Sequence, residues 1–137
     1  MKKLYVVGNK VSKSLSPTIF NYWFKKYNIK ASYGYLELTE KNFHKKIKEV
    51  LEKKDTLGLN VTIPFKNKII KHLDKIDTHA KKIGAVNCVT NKKTINGTNT
   101  DWTGYYKTLP NIKKTKNRTV IILGYGGASH AIHYVLK

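Results

Sequence analysis

Lys66 closes a stretch, Leu57-Gly-Leu-Asn-Val-Thr-Ile-Pro-Phe-Lys66, that delivers polar side chains to the end of an apolar strand. Leu57, Leu59, Val61 and Ile63 alternate with Gly58, Asn60, Thr62 and Pro64, the period of a strand that buries one face more deeply than the other. Pro64 cannot donate a ladder hydrogen bond and fixes its own φ, so the strand should stop there with Lys66 just past the corner. Asn60, Thr62 and Lys66 are thereby expected to face one crevice. A partly desolvated lysine at the carboxyl end of a strand can donate a proton or stabilise an alkoxide when a carboxylate orients it. Taken alone, Lys66 is better read as one solvated charge among many, and only its neighbours argue for more.

Three further stretches carry chemistry. Ser14 and Ser16 precede Pro17 at a loop-to-helix junction, where hydroxyls and free backbone N–H groups can hold a carboxylate, or simply cap the helix. Asn99-Thr-Asp101-Trp-Thr-Gly104 places Thr100 or Asp101 at a helix start, and capping is the ordinary account of Asp101. Gly124-Tyr-Gly-Gly-Ala-Ser129 follows the continuous apolar run Thr119–Leu123 and opens a helical pattern through Ile132, Val135 and Leu136. Gly124 and Gly126 occupy the first two positions of a dinucleotide fingerprint, with Ser129 in the third. Strand, glycine turn and helix together bring a pyrophosphate to a helix N-terminus.

These residues hang on alternating elements. Leu4–Val7 reads as a first strand, and Ser16 as the N-cap of a helix that buries Ile19, Phe20, Trp23, Phe24 and Tyr27. Ser32–Leu38 reads as a second strand, and Thr39 as the cap of a helix burying Phe43, Ile47, Val50 and Leu51. After the strand that ends near Ile63, Phe65, Ile69, Ile70 and Leu73 mark a third helix, and Asp77-Thr78 caps a short fourth ending near Gly84. Ala85–Thr90, which contains Asn87, and Thr94–Thr98 bracket Asn91-Lys-Lys93 as a hairpin. The alternation predicts an α/β fold around a largely parallel sheet with helices on its faces.

At 137 residues and 40% hydrophobic content, the chain suits one domain, or one domain plus the beginning of another. The apolar run after Met1 ends at Gly8, too short for a secretory core or a membrane span. Cys88 is the lone cysteine, which excludes an internal disulfide or a cysteine-built zinc site and suits a reducing cytoplasm. The net charge of +19 raises nucleic-acid binding as a class. Its distribution argues otherwise: lysines are spread over almost every expected helix, Arg118 is the single arginine, and no stripe interleaves basic with exposed aromatic residues. The dense run Lys113–Arg118 reads as a linker.

With Ser14-Leu-Ser16-Pro17, Asn60-Val-Thr62-Ile-Pro64-Phe-Lys66, Gly84-Ala-Val-Asn87, Asn99-Thr-Asp101 and Gly124-Tyr-Gly126-Gly-Ala-Ser129 in this order, the chain resembles the shikimate dehydrogenases over nearly its whole length. The resemblance implies a three-layer α/β/α substrate-binding domain with a mixed, largely parallel sheet over residues 1–100. A connecting helix and linker would follow at 101–117, and the first βα unit of a Rossmann domain at 118–137. On that reading the chain is an amino-terminal fragment of a cytoplasmic enzyme and is inactive alone. The implied reaction is reversible reduction of 3-dehydroshikimate to shikimate by NADPH, in chorismate and aromatic amino-acid biosynthesis.

By the same resemblance Lys66 and Asp101 are the catalytic pair, and both touch the substrate. Ser14 and Ser16 hold the substrate carboxylate, while Asn60, Thr62, Asn87 and Asp101 hold ring hydroxyls. Gly124, Tyr125, Gly126, Gly127, Ala128 and Ser129 bind NADP, with Asp77 and Thr78 near the cofactor. No metal, nucleic acid or membrane is implied, and a homodimer stays open for the full-length form. Tyr125 departs from the alanine usual in the family, and Thr78 stands where relatives often carry an acid, with Asp77 as the substitute. The alternatives are a quinate-preferring relative and a basic module whose lysines hold a polyanion.

Overall fold

Val6 and Val7 point to opposite faces of strand β1 (Lys2–Gly8), and each face has its own helical cover. Residues 1–109 and 119–137 are described by the computed structural model, so the expected linker, Pro110–Asn117, lies outside them. On the Val6 face lies α1 (Ser16–Lys26), whose Phe20 and Phe24 pack with Leu4, Val6 and Tyr33. On the Val7 face lies α2 (Glu40–Leu51), which buries Phe43, Ile47, Val50 and Leu51 against Val7, Leu59 and Val61. Thr39 starts that helix as expected, within a capping box in which its side chain accepts from Asn42 N–H and the Asn42 side chain accepts in return. Helix, sheet, helix is the three-layer arrangement anticipated.

The sheet runs β2 (Ala31–Glu37), β1, β3 (Thr56–Val61), β5 (Cys88–Asn91), β6 (Ile95–Thr98), β4 (Lys75–Ile76). The pairs β1–β2, β1–β3 and β4–β6 are parallel, whereas β3–β5 and the hairpin β5–β6 are antiparallel. Parallel β1 and β3 therefore end side by side, and their carboxyl ends open into one crevice, the usual location of a ligand in such sheets.

Several local expectations are corrected. The strand ends at Val61 rather than Ile63, which is 70% exposed, because Pro64 cannot extend the ladder. The third helix is only a 3-10 turn at Lys68–His72, after which Leu73 is extended and β4 follows. Two hydrogen bonds draw the chain out of the helix there, Asp74 N–H to Ile95 O at 2.8 Å and Ile95 N–H to Asp74 Oδ2 at 2.7 Å. Ile19 and Trp23 of α1 and its C-cap Tyr27 are 43%, 45% and 63% exposed, so the buried stripe is narrower than their spacing implies. Helix α3 (Thr78–Ile83) is capped by Asp77 and closed by Gly84 at φ 73°, as expected.

Thr119–Leu123 adopts no strand, and Ile121 and Leu123 are 80% and 92% exposed. A strand needs a neighbour to complete its ladder, and among the described residues none lies alongside. The helix after the glycine turn does form: α5 (Gly127–Leu136) buries Ala131 against Ile83 and Ala85, with Trp102 of α4 (Asp101–Thr108) and Tyr134 packed around them. No described helix is long and apolar enough to cross a membrane.

Candidate active site

The loop after β1 is pressed onto the end of β3. A Cβ on Gly8 would stand 2.6 Å from Val11 Cγ1 and 2.7 Å from Thr62 Cγ2, so the absence of a side chain is what admits this approach. Glu37, at the end of neighbouring β2, then secures the loop: its Oε2 accepts Val11 N–H at 3.1 Å and Ser12 N–H at 2.7 Å. Hydrogen bonds from Ser12, side chain before backbone, hold the Glu37 carboxyl below its ordinary 4.5. A lowered carboxylate pKa means that the contribution is complete above 4.5 and is lost as pH falls through the lowered value. Glu37→Gln is therefore expected to loosen residues 11–16 at neutral pH as acid does in the wild type, read as faster amide exchange at Val11 and Ser12; unchanged exchange would show that the loop holds without it.

Ser14 and Ser16 sit on this loop, but Ser16 is not the N-cap that its place before Pro17 predicts. Leu15 rather than Ser16 occupies the N-cap, and the Ser14 hydroxyl accepts Ser16 N–H at 3.2 Å. The Ser16 hydroxyl consequently has no hydrogen-bond partner among the described residues. Both serines face a cleft of about 610 Å³ that also receives Asn60, Thr62, Lys66, Asn87 and Asp101.

Asp101 is likewise freed from capping. Thr100 holds the N-cap of α4 and Asp101 is its first helical residue, with its carboxylate turned to the cleft. Lys66 Nζ donates to Asp101 Oδ2 at 2.7 Å, and Asn87 Nδ2 donates to Oδ1 at 2.8 Å. The Lys66 and Asp101 side chains retain 16% and 31% of their accessibility, enough shelter to strengthen the pair yet enough opening to meet a ligand. Asn87 is oriented in turn, since its Oδ1 accepts Thr100 N–H at 2.9 Å. Behind it, buried Asn99 bridges backbone to backbone, donating to Ala85 O and accepting Asp101 N–H, both at 2.9 Å. The pair is thus preorganised by a second layer of amides.

A second cleft of about 420 Å³ adjoins the first, sharing Thr62 and Lys66, and is bounded by Asn67 and by Tyr125–His130. Gly124 has φ 109°, a conformation that favours glycine, and Gly126 caps α5 without any side-chain hydrogen bond, leaving the first-turn N–H groups free of a side-chain cap. Gly127 lies against the stem of Lys66, where a Cβ would meet Lys66 Cβ and Cδ at 3.0 Å. A diphosphate at this N-terminus suits the geometry.

A family model described as the shikimate dehydrogenase substrate binding domain matches residues 6–89, more than half of the chain. The chain belongs to the shikimate dehydrogenase family. A shikimate dehydrogenase (NADP(+)) of Staphylococcus aureus strain Newman is 42% identical over 137 residues, covering 98% of this chain and 50% of that protein. Among solved structures, shikimate dehydrogenase 1 from Peptoclostridium difficile superposes with a TM-score of 0.87 at 33% identity, over 99% of this chain and 51% of that one. The shikimate 5-dehydrogenase of Thermus thermophilus, solved with NADP(H) and shikimate, superposes at 0.80 with 29% identity, over 99% and 52%. The chain spans about half the length of these relatives.

In this chain the seven residues expected around substrate all line the first cleft, and the turn from Tyr125 to Ser129 lines the second. Gly124 stands beside that turn, with Ser129 Oγ 3.7 Å from where its Cβ would be. Asp77 and Thr78 are not among the residues of either cleft: Asp77 Oδ1 accepts Ala80 N–H at 2.7 Å as the cap of α3, and Thr78 opens that helix. Asn67 stands in the second cleft instead. Sequence reasoning also missed Lys10 and Lys13, which face the first cleft from the serine loop, and Asn99, whose neighbour Asp101 was the only signal.

Proposed function

We propose that the chain supplies the substrate site of an NADP-dependent shikimate dehydrogenase, residues 1–100 forming the substrate domain and 118–137 opening the cofactor domain. The observation that carries this reading is the 2.7 Å Lys66–Asp101 pair standing in the cleft that also receives Ser14 and Ser16. When bound, NADPH supplies the hydride that reduces the carbonyl carbon of 3-dehydroshikimate. Negative charge then gathers on the carbonyl oxygen, where the Lys66 ammonium donates a hydrogen bond and finally the proton. Asp101 keeps that ammonium aimed, and Asn87 keeps Asp101 from turning away. In the oxidative direction the same lysine accepts the hydroxyl proton.

The serine hydroxyls and the lysines of their loop hold the substrate carboxylate, while Asn60, Thr62 and Asn87 hold ring hydroxyls. The free N–H groups opening α5 hold the cofactor diphosphate. The match to a curated NADP(+) enzyme and the superposition on a structure solved with shikimate and NADP(H) support these assignments. A polyanion-binding module is not favoured, since it leaves the ordered cleft unexplained.

Ser14→Ala and Ser16→Ala test the reading. Each is expected to weaken shikimate binding by about 1–3 kcal/mol, the value of a hydrogen bond to a charged group. Calorimetric titration with shikimate and with its alcohol analogue, which lacks the carboxylate, gives the comparison. The loss should be confined to shikimate; an equal loss for both ligands would mean that the serines merely shape the loop.

A further inference from the structure

Tyr33 decides which atom of Asn60 the cleft receives. Its ring is only 3% exposed and lies stacked on Phe20, with centroids 4.7 Å apart and planes within 6°. The Asn21 side chain grips its backbone on both sides, Oδ1 accepting Tyr33 N–H and Nδ2 donating to Tyr33 O, each at 2.9 Å. So fixed, the ring places its hydroxyl 2.7 Å from Asn60 Oδ1. Burial foremost, with Cys88 adding to it, pushes the phenol up to about 12, so it keeps its proton at neutral pH.

The hydroxyl proton has Asn60 Oδ1 as its acceptor among the described residues. A flipped Asn60 would turn its NH2 toward the phenol oxygen and leave that proton buried without an acceptor, which is costly. Asn60 Nδ2, by contrast, makes no hydrogen bond to the described residues and is not among the buried unpaired atoms, while the side chain itself lines the cleft. We infer that Tyr33 is a positioning residue for specificity: it holds Asn60 as an N–H donor to the cleft, so the ligand group docked against it must bring an acceptor oxygen. This rests on the reading of the cleft as the shikimate site, and it adds the chemical sign of one subsite.

Two measurements on the 137-residue chain test it separately from that reading. Without ligand, the Asn60 side-chain NH2 resonances, assigned with Asn60→Ala, are compared between wild type and Tyr33→Phe. Phenylalanine removes one oxygen and keeps the ring stack, so the backbone spectrum away from β2 and β3 should persist. The Asn60 NH2 pair should shift and its exchange with water should accelerate; an unchanged pair overturns the inference.

With shikimate, Kd is compared for wild type, Tyr33→Phe, Asn60→Ala and the double variant. Tyr33→Phe is expected to weaken binding about tenfold in the wild-type background and not at all with Asn60→Ala, the signature of action through that amide. Equal weakening in both backgrounds overturns the inference. If the wild type takes no shikimate, the reading of the cleft fails, and the amide resonances still decide what Tyr33 does to Asn60.

Discussion

On the proposed function, Lys66→Ala is expected to lower kcat for 3-dehydroshikimate reduction by about 10²–10⁴-fold with little change in KM. The asymmetry follows from when the ammonium is needed. A ground-state carbonyl asks little of it, whereas the transition state carries charge on the oxygen it faces. The alternative role for this lysine, anchoring the substrate carboxylate, would raise KM at nearly constant kcat. Steady-state kinetics of the variant separates the two, and an unchanged kcat would return Lys66 to an ordinary half-buried ion pair.

Asp101→Asn should cost about 10²-fold in kcat, because the amide keeps the size of the carboxylate but not the charge that orients Lys66. The Asn87 and Lys66 contacts at 2.8 and 2.7 Å end on different oxygens of Asp101, and an amide keeps an acceptor at only one of those two positions. The two residues act as a unit, so Lys66→Ala with Asp101→Asn should be no slower than Lys66→Ala alone. Multiplying losses in the double variant would show that Asp101 contributes independently of the lysine.

The sequence made the frame legible where one residue type has one local use. Thr39, Asp77 and Gly84 all terminate helices as their chemistry requires, and the alternation from Leu59 to Val61 lies in β3 with both residues buried. The cleft was legible for a related reason: Ser14, Thr62 and Asn87 each follow or flank a strand end, and the topology brings those ends together. What local pattern could not show was competition between roles. Asp101 has the type and place of a helix cap, yet it faces Lys66 because Asn99 takes its backbone N–H and Thr100 takes the cap position.

Long-range contacts explain the remaining differences. The two-residue strand β4 exists through the Asp74–Ile95 bonds, which no periodicity announces. Tyr33 could be read as alternating in a strand, but its partner Asn60 lies 27 residues away on a strand that does not adjoin β2. Likewise, the spacing of Ile19, Trp23 and Tyr27 marks a helical face without saying what covers it, and here they stand exposed. Thr119–Leu123 has the composition of a buried strand, yet composition cannot supply the neighbour that a ladder needs.

The orientation of shikimate in the first cleft bears most directly on these assignments, and a crystal structure of the chain grown with shikimate would report it. The expected density places the carboxylate within hydrogen-bonding distance of the Ser14 and Ser16 hydroxyls and a ring hydroxyl on Lys66 Nζ, with the Lys66–Asp101 contact retained. Shikimate bound in the reverse sense, carboxylate on Lys66 and hydroxyls on the serines, or bound outside this cleft, would contradict the roles given to all four residues.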